Sequence, residues 1–170
     1  MGEKNIAIVP YCGLCEKQTL HRIKDFFDFH GALVQGKNSE AEYESDAILK
    51  QWTTEPNVLY IITVNGADTG FVRICFRGPT VAWIEDIFVD AHRRGKGIAT
   101  SAVKEAEKII TATRPDCEAV CLDVVLRNTD ALRLYHKLGY SDISLVTVRK
   151  EFGESKRDKP VNILGLDFKY

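Results

Sequence analysis

A chain of 170 residues with 45% hydrophobic and 28% charged residues can bury a core without disulfides or a metal, and this composition excludes a disordered or collagen-like chain. Its 23 basic and 24 acidic residues leave a formal net charge of -1, which supplies no basic footprint for a general nucleic-acid binder. No apolar run approaches the ~20 residues of a membrane span, so the expectation is one soluble cytoplasmic domain over 1–170.

Asn5 to Pro10 reads as a first strand. Cys12-Gly13-Leu14-Cys15 follows, and a strand, a C-x-x-C and a helix is how a thioredoxin-like redox site is laid out. A single C-x-x-C supplies only two of the four ligands of a structural zinc site, and the four histidines are scattered, so no metal is expected. Residues from about Cys15 to Phe29 carry Leu20, Ile23, Phe26 and Phe27 at helical spacing, with a loop predicted over Gly31 to Asn38. Ser39 and Glu42 form a capping-box pattern before Ala47, Ile48 and Trp52, and Pro56 closes that second helix. The acidic run Glu40, Glu42, Glu44 and Asp46 reads as a solvated face, with attraction of a cationic amine as its functional alternative.

Three β-rich runs come next, Val58–Val64, Gly70–Phe76 and Val81–Val89, separated by the turn signals Asn65-Gly66-Ala67-Asp68 and Arg77-Gly78-Pro79. A helix is predicted from Gly97 to Thr113, broken by Pro115, and Ala119 to Leu126 is apolar enough for a strand covered on both faces. Asn128 to Leu138 reads as a shorter helix ended by Gly139. Tyr140–Arg149 and Asn162–Phe168 read as two last strands. Cys75, Cys117 and Cys121 stand in apolar surroundings and read as buried thiols in a reducing compartment.

The strand 81–89, the helix 97–113 and the strand 119–126 make a βαβ unit, which requires a parallel pair with a right-handed crossover. The fold class is therefore α/β (α+β), a mixed and mostly antiparallel central sheet with one parallel pair. Between the first strand and the helix of that unit lies Arg94-Gly95-Lys96-Gly97-Ile98-Ala99-Thr100. Its two glycines allow close backbone approach, and the amides and dipole of the helix start favour a phosphate, with Arg94 and Lys96 adding charge. The spacing fits neither a P-loop nor the dinucleotide fingerprint. A plain Gly-rich helix start is the alternative reading.

The stretch Ile84-Glu85-Asp86-Ile87-Phe88-Val89-Asp90, followed by Arg94-Gly95-Lys96-Gly97-Ile98-Ala99, resembles the acyl-CoA-binding motif of the GNAT superfamily of N-acetyltransferases. Asn128-Thr129-Asp130-Ala131-Leu132-Arg133-Leu134-Tyr135, running on to Gly139-Tyr140, is similar to the family's second signature. The resemblance implies helices on both faces of the sheet and a splayed parallel pair that holds acetyl-CoA. It places the pantetheine arm against Ile87, Phe88 and Val89, the pyrophosphate on the amides from Arg94 through Thr100, and Asn128 near the pantetheine end.

The activity so implied is acetyl transfer from acetyl-CoA to a primary amine by direct attack in a ternary complex. The acceptor stays open among a small amine, an aminoglycoside, an amino acid and a protein N-terminus, and the protein is a monomer or a homodimer. Glu85 is the leading base, directly or through a water; on a regular strand Glu85 and Asp86 point to opposite faces, and a splayed or bulged strand reopens the choice between them. Tyr135 matches the family's general-acid tyrosine, with a core tyrosine as the alternative, while Tyr140 reads as a packing residue. Two other readings of the whole chain stand beside this one, a thiol redox protein using Cys12 and Cys15, and a CoA-binding module without turnover.

Overall fold

The computed structural model describes residues 5–35, 44–153 and 157–170. The chain divides into two compact units, Met1–Phe27 with Ala41–Asp123, and Asp28–Glu40 with Val124–Tyr170.

In the first unit, β1 (Ile6–Pro10), β2 (Asn57–Val64), β3 (Ala67–Cys75), β4 (Val81–Val89) and β5 (Ala119–Cys121) stand side by side in chain order. The first four are antiparallel and β5 runs parallel to β4. Asn65 and Gly66 link β2 to β3 with φ of 52° and 81°, the paired left-handed geometry that a two-residue hairpin turn demands. The helices of this unit are the first turns of α1 (Glu16–Gln35), α2 (Ser45–Trp52) and α3 (Ile98–Thr113).

Alternation along the strands divides the core between two faces. Leu59, Ile61, Phe71 and Phe88 pack with Ile23, Leu49 and Trp52 from α1 and α2. Ile62, Val64 and Val89 pack with Ile98 and Ala102 of α3. Phe71 is fully buried, its ring 5.2 Å from that of Trp52 and 5.7 Å from that of Phe88. Removing such a ring typically costs ~3–5 kcal/mol, so this aromatic cluster anchors the helical layer over the middle of the sheet. The expected arrangement of a mixed sheet with helices on both faces is observed.

The second unit holds the end of α1, the helix α4 (Thr129–Lys137) and a hairpin of β6 (Pro160–Ile163) with β7 (Leu166–Lys169). Several expectations are corrected here. Helix α1 runs through Gly31 to Gln35 rather than ending near Phe29, because Ala32, Leu33 and Val34 carry the helix past a glycine that costs only ~1 kcal/mol. The capping box of Ser39 and Glu42, with Glu40 of the acidic run, lies outside the described residues. The segment expected as one strand over Asn162–Phe168 is instead a hairpin, turning at Leu164 and Gly165 with φ of 50° and 83°. Residues 140–149 form no strand, having no pairing partner among the described residues.

Strand β5 stops at Cys121 instead of continuing to Leu126. Cys75 is buried as expected, whereas Cys117 and Cys121 are half-buried, one in the turn before β5 and the other at its last position.

Candidate active site

The early end of β5 shapes the site. Val81, Ala82 and Trp83 pair with Ala119, Val120 and Cys121, and there the parallel ladder stops. On its other side β4 stays paired with β3 up to Val89 opposite Gly70. Among the described residues, β4 from Ile84 to Val89 therefore has no strand on its β5 side, where the Val89 carbonyl accepts from the Arg94 side chain. The parallel pair expected from the βαβ unit is present over three residue pairs, and Ile87, Phe88 and Val89 lie beyond its end.

Gly70 is required where β3 passes β4, since a Cβ added there would overlap the Phe88 carbonyl oxygen.

Past Val89 the chain turns toward α3. Asp90 donates its amide to the Thr69 carbonyl at 2.9 Å and precedes a single 3-10 turn over Ala91–Arg93. Gly95 and Gly97 then take φ of 72° and 79°, left-handed values that side chains resist. Gly97 is the N-cap of α3 and offers no side chain to its amides. The first intrahelical bond is donated by Ser101 to the Gly97 carbonyl at 3.1 Å, so the amides of Ile98, Ala99 and Thr100 lack intrahelical acceptors. Helix starts of this kind favour anions, because their amides and dipole point outward.

The two basic side chains of the loop do more than lend charge. Arg94 donates from Nε to the Val89 carbonyl at 2.9 Å and lies 5.2 Å over the Phe88 ring, while Lys96 donates from Nζ to the His92 carbonyl at 2.9 Å. Both brace the turn.

The two carboxylates of β4 are not on opposite faces as strand alternation predicts. The register slips between Arg73 and Ile74, which sit opposite Asp86 and Ile84, so Glu85 is the extra residue of a bulge. Both acids consequently reach Arg73. Its Nε donates to Asp86 Oδ2 at 2.6 Å, one terminal nitrogen lies 3.7 Å from Glu85 Oε2, and the other donates to Asn57 Oδ1 at 2.6 Å. Arg77 approaches Glu85 Oε1 at 2.6 Å, a charge contact outside hydrogen-bond geometry that leaves this buried oxygen without a directed donor among the described residues. The guanidinium of Arg73 lies over Trp52 at 5.1 Å and that of Arg77 over Trp83 at 4.5 Å. Arg73, Arg77 and Asn57 were not read from the sequence as site residues; an arginine amid the apolar run of β3 was the available signal.

The second unit carries the other two sequence candidates. Asn128 is the N-cap of α4, its Oδ1 accepting from the Ala131 amide at 3.3 Å. Tyr135 is half-buried, its ring edge-on to Tyr140 at 5.9 Å. Of the C-x-x-C pair, Cys12 is exposed, and Cys15 is half-buried with its Sγ 3.5 Å from the Thr19 hydroxyl. No group of three or more His, Cys, Asp or Glu able to hold a metal occurs among the described residues.

The model of the Acetyltransferase (GNAT) family matches residues 23–140, which span both faces of the sheet, the β4–α3 loop and α4. The chain belongs to the GNAT acetyltransferase family. Members of this family use acetyl-CoA. An uncharacterized N-acetyltransferase of Methanocaldococcus jannaschii is 28% identical to this GNAT chain over 125 residues, 71% of the chain and 76% of that protein. Among solved structures, a transcriptional regulator from Bacillus halodurans C-125 superposes with a TM-score of 0.67 at 20% identity, covering 87% of this chain and all of that one (100%). The structure of AAC(6')-Iy in complex with the bisubstrate analog CoA-S-monomethyl-acetylneamine superposes with a TM-score of 0.58 at 17% identity, covering 88% and 99% of the two chains. These likenesses show that the GNAT fold is shared. No helix among the described residues is long and apolar enough to cross a membrane.

Proposed function

We propose that this acetyltransferase moves the acetyl group of acetyl-CoA to a primary amine by direct attack within a ternary complex. One observation carries the reading. Beyond Trp83 the β5 side of β4 carries no strand among the described residues, and β4 leads through one 3-10 turn and the glycine loop into the uncapped start of α3. An extended arm bearing amides suits such an edge, because it pairs with free peptide groups as an added strand would. A pyrophosphate suits the amides of Gly95 to Thr100, with Arg94 and Lys96 beside them. Asn128, whose Oδ1 is committed to α4, is assigned a donor role toward the arm through its amide nitrogen.

Acetyl-CoA supplies an activated acetyl thioester; the protein must manage two protons. An alkyl ammonium has a pKa near 10.4, so only about one amine in 2,500 is free at pH 7. That protonation adds about 4.6 kcal/mol to the barrier. Glu85 is the assigned acceptor of the proton, being the bulged residue beside the open edge. Its contacts with Arg73 and Arg77 would have to weaken on direct protonation, which favours relay through a water. Asp86, held by Arg73, is assigned to fix that guanidinium. Tyr135 is assigned to protonate the leaving thiolate, a task suited to the ordinary tyrosine pKa of about 10.

The acceptor class spans small amines, aminoglycosides, amino acids and protein N-termini. A reducing, cytoplasmic setting accords with five cysteines that are all free. The test is release of CoA thiol from acetyl-CoA with a panel of these amines. Amine-dependent release with an acetylated product is expected. Tight acetyl-CoA binding without release for any class would instead support a binding module.

A further inference from the structure

Arg22 is out of keeping with its surroundings. It lies on the inner face of α1 beside Thr19 and Ile23, both 0% exposed, and is itself only 9% exposed. Its Nε donates to Asp90 Oδ1 at 2.8 Å, and one terminal nitrogen donates to Asp90 Oδ2 at 3.1 Å and to the Asp68 carbonyl at 2.9 Å. The other terminal nitrogen is buried with no partner among the described residues. A buried ion pair with one unmatched donor is a poor route to stability, since apolar side chains of similar volume commonly serve that purpose as well or better. Its worth lies in geometry, because a bidentate guanidinium fixes its carboxylate in orientation as well as position.

What it fixes is the junction described above. Asp90 is the residue between β4 and the turn that delivers Arg94, Gly95 and Gly97, and its amide is already tied to Thr69. Arg22 adds the side chain of Asp90 and the backbone of Asp68, binding helix α1, the β2–β3 hairpin end and the loop root at one point. Arg22 also lines a groove with Lys17, His21, Ala91 and His92, but its unpartnered nitrogen is closed to solvent. Burial by itself lowers the Arg22 pKa, and the hydrogen bonds and charge of Asp90 carry it above the ordinary arginine value, so the clamp stays cationic.

We propose that Arg22 is a positioning residue for the cofactor loop, holding Asp90 so that the amides of Gly95 to Thr100 converge on the pyrophosphate. The inference rests on the proposed acetyl-CoA reading of that loop. It predicts a selective defect: the pyrophosphate end of CoA should lose affinity while the pantetheine arm on β4 does not.

The test compares CoA, by calorimetry, with pantetheine, which lacks the pyrophosphate, by NMR titration. The charge-neutral double variant Arg22→Met with Asp90→Asn is expected to weaken CoA by about tenfold or more, the scale of one hydrogen bond to a charged group. Pantetheine affinity is expected to stay within about threefold of wild type, under half of that tenfold scale in free energy. Arg22→Lys keeps the charge but cannot span Asp90 and Asp68 together, and it should weaken CoA in the same selective way. It carries the test if the double variant does not fold. Equal weakening of both ligands, or wild-type CoA affinity in a folded variant, overturns the inference. Failure of the unaltered protein to bind CoA overturns the underlying reading instead.

Discussion

Gly97→Ala isolates the contribution of the cofactor loop. Gly97 has φ of +79° and a Cβ built there meets nothing within 4 Å, so the new methyl group clashes with no neighbour. The cost in the free protein is then conformational, about 1–2 kcal/mol for a side chain held in the left-handed region. For a chain of this length each kcal/mol lowers Tm by roughly 2–4 °C, so the variant folds and melts a few degrees early. Binding suffers more. If Gly97 relaxes toward ordinary φ, the amides of Ile98 to Thr100 turn away, and one lost hydrogen bond to a charged group is worth about 1.5–3 kcal/mol. CoA affinity should therefore fall about ten- to hundredfold by calorimetry. Gly78→Ala is the matched control, because Gly78 has φ of +78° with the same empty surroundings and lies in the turn before β4 rather than after it. Equal CoA affinities for the two variants would refute the loop argument.

Tyr135→Phe keeps the ring and should leave melting nearly unchanged, while the single-turnover rate falls by about 10²–10⁴-fold and CoA affinity by less than tenfold. Glu85→Gln should depress turnover at pH 7, and the deficit should shrink as pH rises toward the amine pKa near 10.4, because the acceptor then sheds its own proton. Cys12→Ser with Cys15→Ser should leave acetyl transfer intact; a hundredfold loss in the folded double variant would move the chemistry to the N-terminus. Gly70→Ala should lower stability by about 1–3 kcal/mol or more in a denaturant titration, since its Cβ would press on the Phe88 carbonyl oxygen.

The βαβ unit and its loop were legible because their signals are local. Gly95 and Gly97 mark backbone that only glycine takes easily, and Pro115 marks the end of α3. The bulge at Glu85 was not, because it is a property of the pairing between β3 and β4, and alternation along one strand records faces without recording partners. That is why Glu85 and Asp86, expected on opposite faces, both meet Arg73. The same limit explains residues 122–126 and 140–149, whose apolar content reads as strand but whose neighbours the chain does not announce. Arg73 and Arg22 were visible only as charges at apolar positions, an anomaly that identifies a buried ion pair without naming its partner.

The most direct measurement is backbone amide NMR during titration with acetyl-CoA. The account predicts that the large shifts fall on Ile87 to Val89 and on Gly95 to Thr100. Shifts centred on Cys12 to Cys15, or none along β4 and the start of α3 at saturating ligand, would contradict it.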